Sequence, residues 1–221
     1  MRASVRGIRL LMGFVSQVAA VAAVSIDPGF AESAVRPGAA LHVRLYDALS
    51  LPTRCIRTAK RTATEIFARA GVSLKLIECR RNTDSLPSEC EAPLGAGETA
   101  VRLIYAPGSQ NARALGTSYV TDSPRQVRLA AVFVDRVEAA AARSGTHADT
   151  LLGRTIAHEL GHLLLGSAHS TQGLMRPRWT DRDLRENYPR DYWFAPDQAS
   201  AMVFRIAKST SVGQMAAATE P

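Results

Sequence analysis

Two histidines and a glutamate stand where they can share one metal ion. His158 and His162 are four residues apart in the stretch IAHELGHLLLGSAHSTQGLM, Ile156 to Met175. On a helix that spacing is about 40° in direction and about 6 Å in height, so both imidazoles reach a common point. Nitrogen ligands at this separation suit zinc. Glu159 is one position on, close enough to hold a water against the same ion yet turned out of the ligating direction, which is the place of a general base. Random order of the same residues produces H-E-x-x-H about 0.005 times in a chain of this composition, so chance is a weak competitor. The plainer alternative is a pair of histidines satisfying hydrogen bonds in a core.

A third ligand requires the helix to stop. On an unbroken helix His169 would stand about 16 Å above His158, whereas an imidazole reaches only about 6 to 7 Å from its backbone to a shared ion. Gly166 is where the helix can end, because a glycine at the C-terminal cap accepts positive φ and lets the chain fold back toward the ion. Three neutral imidazoles would leave a divalent ion its full charge and one open position, a Lewis acid whose bound water has a lowered pKa. Oxygen ligands suit zinc too, so Asp181, Asp183 and Glu186 beyond the turn are alternative third ligands. Against them, TDRDLRE also reads as the charged face of a short helix capped by Thr180 or Asp181.

In this order His158, Glu159, His162, Gly166 and His169 resemble the metzincin zinc endopeptidases, whose signature is H-E-x-x-H-x-x-G-x-x-H followed by a methionine turn. HSTQGLM is similar to the segment of matrixin-type members that leads from the third histidine to that methionine. The resemblance implies Zn2+ as cofactor and Met175 beneath the metal, although Met175 taken alone would be ordinary core filling. It also implies a protein or peptide substrate lying extended along an edge strand, for which Ala114 to Val120 is the candidate. In such an enzyme Glu159 takes a proton from the metal-held water and passes it to the leaving amine. One feature departs from the pattern: Leu163 to Leu165 place three residues before Gly166 where the family has two, so the helix should run one residue longer. Tyr188, Tyr192 and Arg178 are candidates for an additional oxyanion donor, and each also fits a structural role. Two other functions share the motif, a zinc amidase acting on a non-protein amide and a non-catalytic zinc-stabilised binding domain. The intact Glu159 speaks against the second.

The elements that must position these residues are legible around them. LHVRLYDAL (41–49) alternates like a strand, and Pro52-Thr53 opens a helix to about Ala70 with Ile56, Ala59, Ala63, Ile66, Phe67 and Ala70 on one stripe, closed by Gly71. Strands are predicted over 72–79, 99–105 and 114–120, and the nearly continuous apolar run LAAVFV (129–134) suggests a strand covered on both faces. A helical turn over 137–143 precedes the active-site helix, about 151–165, which begins after the polar HADT segment. PDQASAMVFRIAK (196–208) is a terminal helix, and the small polar residues after it read as a tail without structure. The fold class is therefore α+β: a mixed twisted sheet of about five strands, a long backing helix, an active-site helix and a short C-terminal subdomain. This agrees with the resemblance, since metzincin-like domains place a mixed sheet and one long helix before the active-site helix.

Of the 221 residues 46% are hydrophobic and 21% charged, a globular composition of one or at most two domains. The net charge of +7 comes mostly from scattered arginines without aromatic interleaving, which argues against nucleic-acid binding. Residues 1–31 show a basic start, the apolar LLMGFVSQVAAVAAVSI and a small-residue site, matching an export signal cut after Ala31. The apolar stretch falls short of the roughly 20 residues that span a bilayer, so no stable membrane association is expected after cleavage, and the location is secreted or periplasmic. The layout is then a signal over 1–31, a spacer over 32–40, a zinc-peptidase-like domain over 41–208 and a disordered tail over 209–221. Oligomeric state leaves no trace in the sequence. Cys79 and Cys90 bracket a polar loop and form the expected disulfide of an oxidising compartment, leaving Cys55 as a buried small hydrophobe.

Overall fold

The five expected strands form one mixed sheet: β1 (Ala40–Asp47), β2 (Ser73–Cys79), β3 (Glu98–Ile104), β4 (Gly116–Val120) and β5 (Arg128–Phe133), in the order β2-β1-β3-β5-β4. The computed structural model describes residues 39–80, 86–95, 97–108, 113–120 and 128–217. β1 pairs in parallel with β2 and β3, and β3 with β5, while β4 runs antiparallel to β5 with Ser118 opposite Ala130. β4 is thereby an edge strand with one side paired. The export signal, its cut after Ala31 and nearly all of the proposed spacer lie outside the described residues, as do 81–85 of the loop between the two bridging cysteines.

The helices stack on this sheet by their apolar faces. Helix α1 (Thr53–Arg69) buries Ile56, Ala59, Ala63, Ile66 and Phe67 and ends before Gly71, as the stripe predicts. Helix α3 (Val134–Ser144) follows β5 without a loop and is longer than the turn expected over 137–143. Its run VEAAAAR is made of good helix formers, and Gly145 closes it in the left-handed conformation. Helix α4 (Ala148–Leu165) is apolar nearly all round, burying Leu151, Leu152, Ile156, Ala157, Leu160, Leu163 and Leu164. A helix of that kind belongs at the centre of a fold, and α4 packs on α1, α3, β4 and β5.

Two short elements went unread in the sequence, and one reading is corrected. Helix α2 (Ser88–Glu91) occupies part of the expected loop and carries Cys90, whose disulfide to Cys79 ties it to the end of β2 as expected. A 3-10 turn spans Pro189–Tyr192. Helix α5 (Asp181–Glu186) has the expected cap: Thr180 accepts from the Asp183 amide and Asp183 accepts from that of Thr180. Helix α6 (Pro196–Ala217) runs past Lys208 through most of the segment read as a disordered tail. Small polar composition favours disorder, but SVGQMAA contains no proline, and Ala, Gln and Met propagate a helix already nucleated upstream. Cys55 is half-buried in α1 with its thiol pushed up by burial, which suits a packing residue. None of the described helices is long and apolar enough to cross a membrane.

Candidate metal centre and cleft

Helix α4 carries His158, Glu159 and His162 on its cleft side and stops at Leu165. Gly166 then adopts φ 95°, a conformation that disfavours any side chain, while its amide donates to the carbonyl of His162 at 2.8 Å. The chain folds back there and brings the His169 ring to centroid distances of 4.7 Å from His162 and 5.7 Å from His158. One nitrogen of each of the three imidazoles lies within 4.8 Å of the others. Leu163, Leu164 and Leu165 are all helical, and Gly166 is the cap.

The hydrogen bonds of the rings decide which nitrogens face inward. Nδ1–H of His158 donates to the Leu174 carbonyl at 2.8 Å, and Nδ1–H of His162 donates to that of Gly166 at 2.9 Å. A neutral imidazole has a single N–H, so both Nε2 atoms present lone pairs, and they stand 3.1 Å apart. Two lone pairs that close repel unless a cation lies between them. Edges of about 3.3 Å are what a tetrahedron with Zn–N bonds of about 2.0 Å requires, so the donor set fits this ion. Carbonyl-anchored Nδ1–H groups are also the outer-shell contacts that orient ligating histidines. Burial draws the His158 imidazole down to about 4, assisted by repulsion from its two neighbours and opposed by the Leu174 bond, so it stays neutral. His169 is lowered by burial and by His162.

Glu159 is 5% exposed, facing β4. The Ser118 hydroxyl donates to its Oε2 at 2.6 Å and stands 2.9 Å from its backbone carbonyl, joining the edge strand to α4. Burial pushes the Glu159 carboxyl up to about 7, against the lowering effect of Ser118. β4 approaches so closely that a Cβ at Gly116 would lie 2.7 Å from Glu159 Oε1. Ser118 was not foreseen: a serine in a short strand carries no signal until the strand is placed.

Met175 is fully buried against α4. A Cβ added at Gly161 would meet its Sδ at 2.6 Å and Phe194 Cε1 at 2.8 Å, so the methionine packs beneath the helix turn between His158 and His162. The segment is pinned by Ser170 N donating to the Met175 carbonyl and by Leu174 N donating to that of Trp193. Gly161→Ala is therefore expected to destabilise the domain by about 1–3 kcal/mol through overpacking. Because Leu174 also holds His158, the variant should bind metal more weakly, read as a smaller rise in Tm on adding zinc.

The acidic alternatives are otherwise engaged. Asp183 caps α5 and pairs with Arg176 at 3.2 Å, Glu186 pairs with Arg182, and Asp181 faces Arg143. Among the described residues the only group placed to hold an ion is the three histidines. Of the candidate oxyanion donors, Tyr192 is buried with its hydroxyl donating to the Asp183 carbonyl, and Tyr188 is exposed outside the cleft. Arg178 does line the cleft. Trp179, also unforeseen, sets its ring edge-on to His158 and to Tyr192, 5.5 Å from each. The tyrosine in turn carries the buried Arg154 guanidinium 3.5 Å above its face.

No family model and no curated protein matches the chain. Solved structures with a similar course of chain include archaemetzincin from Methanopyrus kandleri, at 15% identity and a TM-score of 0.47, covering 78% of this chain and 99% of that one. A zinc-dependent peptidase from Methanocorpusculum labreanum is similar at 13% identity and 0.48, covering 72% and 99%. Metalloproteinase-II from Bacteroides fragilis is similar at 14% identity and 0.49, covering 79% of this chain and 55% of that one.

Proposed function

We propose that this chain is an exported, metzincin-like zinc endopeptidase with Glu159 as its general base. The observation that carries the reading is the convergence of three imidazoles beside a buried carboxylate, with two Nε2 lone pairs 3.1 Å apart. His158, His162 and His169 would hold zinc, which would supply a Lewis acid for a water and a carbonyl. The Glu159 carboxylate would take a proton from the attacking water and return it to the leaving amine, with the Ser118 hydroxyl donating to its Oε2. The unpaired side of β4 takes an extended substrate backbone by strand addition. Reading Met175 as the methionine turn is supported by its burial beneath the helix turn between His158 and His162. Export is supported by the basic and apolar start and by the disulfide.

The test is hydrolysis by the purified zinc-loaded chain of casein, peptidoglycan and an acetylated amine side by side. Casein should be cut, cutting should stop with a chelator, and added zinc should restore it. Release from peptidoglycan or the acetylated amine with casein untouched would replace the endopeptidase by an amidase; no turnover of any would leave a binding domain.

A further inference from the structure

The cleft beside the three histidines, about 1240 Å³, has a charge that the chemistry of hydrolysis does not need. Arg113, Arg136, Arg143, Arg176 and Arg178 all line it, against only two carboxylates, Glu159 and Asp181. Arg136 and Arg143 are seven residues apart on α3 and flank Ala139 and Ala140; Arg136 donates to the Ala114 carbonyl at 3.0 Å and lies 4.8 Å over the Phe133 ring, while Arg143 is exposed. Across the cleft, the chain leaving Met175 supplies Arg176 and Arg178. Arg176 pairs with Asp183 through Nη1 only, and its Nε and Nη2 are buried with no hydrogen-bond partner among the described residues. Arg178 is exposed and makes no ion pair among the described residues. The Arg143–Asp181 contact is long, 3.9 Å, and half exposed on both sides, so it neutralises little.

The exposed guanidinium of Arg178 on the wall of the cleft is satisfied best by a carboxylate, which takes two of its N–H groups in the plane of the fork. A lysine or arginine side chain entering the same space would meet like charge. We infer that this cleft selects peptides carrying Glu or Asp close to the bond to be cut, with Arg178 as the recognising cation. The inference rests on the endopeptidase reading for what happens to the peptide, but not for its binding.

The experiment measures binding separately from cutting. The zinc-loaded chain carrying Glu159→Gln is titrated, by fluorescence anisotropy, into labelled peptides identical except for Glu, Gln or Lys placed in turn at each position around the central bond. At one or more positions Glu should bind about tenfold more tightly than Gln, and Lys more weakly than Gln. The preference should shrink as salt is raised. Arg178→Glu in the same background should abolish or reverse the order, and Arg178→Ala, which leaves an exposed site neutral, should narrow it. Equal affinities for the three peptides at every position, no binding of any, or a preference for Glu that survives Arg178→Glu would overturn the inference. Hydrolysis by the wild-type chain without an acidic preference would sink it and leave the endopeptidase standing. Tight binding of Glu peptides that the wild-type chain never cuts would do the opposite.

Discussion

Glu159→Gln is expected to lower kcat/KM for peptide hydrolysis by about 10²–10⁴-fold with little change in KM and none in zinc content. Gln keeps the shape of the side chain, and its amide oxygen still accepts from the Ser118 hydroxyl at the position now 2.6 Å away, so the β4–α4 contact survives. What is lost is an atom able to take up a proton. The metal ligands are untouched, which makes elemental analysis of the same preparation the control. Burial already holds this carboxyl at about 7, so the carboxylate binds a proton far more readily than an exposed one would. A nearby divalent cation would draw the value back down, and the working value lies between these influences. Equal rates for variant and wild type would remove Glu159 from the chemistry and with it the proposed mechanism.

His169→Ala is expected to weaken zinc binding by at least about 100-fold, the upper range for disturbing only an outer-shell partner of a ligand. His169 is the informative choice because it is exposed on the turn, whereas His162 is 9% exposed in a packed helix and its loss would mix packing with ligation. Two measurements follow. Zinc retained after dialysis should fall well below one ion per chain, and the zinc-induced rise in Tm of the wild type should vanish, since a ligand stabilises only the state that binds it. Unfolding of the metal-free variant should match the metal-free wild type. Undiminished zinc content would return the third position to Asp181, Asp183 or Glu186, at the cost of the ion pairs and the cap those residues now make.

The order of strands and helices could be read without coordinates because periodicity and turn residues are local signals. Alternation marked β1, the stripe of Ile56, Ala59, Ala63, Ile66 and Phe67 marked α1, and both ended near the expected glycine or turn. The first turn of α3 was missed because Val134 continues the apolar run of β5, and the continuation of α6 because small polar residues suit a loop and a helix alike. Short one-turn elements such as α2 carry too few residues for any period to appear.

For the site, the helical repeat alone fixes which side chains travel together. His158, Glu159 and His162 are bound to share a face by the 3.6-residue turn, and Gly166 is bound to be the place where that helix can break. Contacts between distant segments set the rest. Which imidazole nitrogens face inward depends on carbonyls of Leu174 and Gly166, the first of them sixteen residues away. The carboxylate of Glu159 is held by Ser118, from a strand 41 residues earlier, and the arginines of the cleft come from α3 and from the turn beyond Met175. Local spacing is set by the geometry of one helix, while ring tautomer, burial and charge are set by neighbours that meet only when the chain has folded.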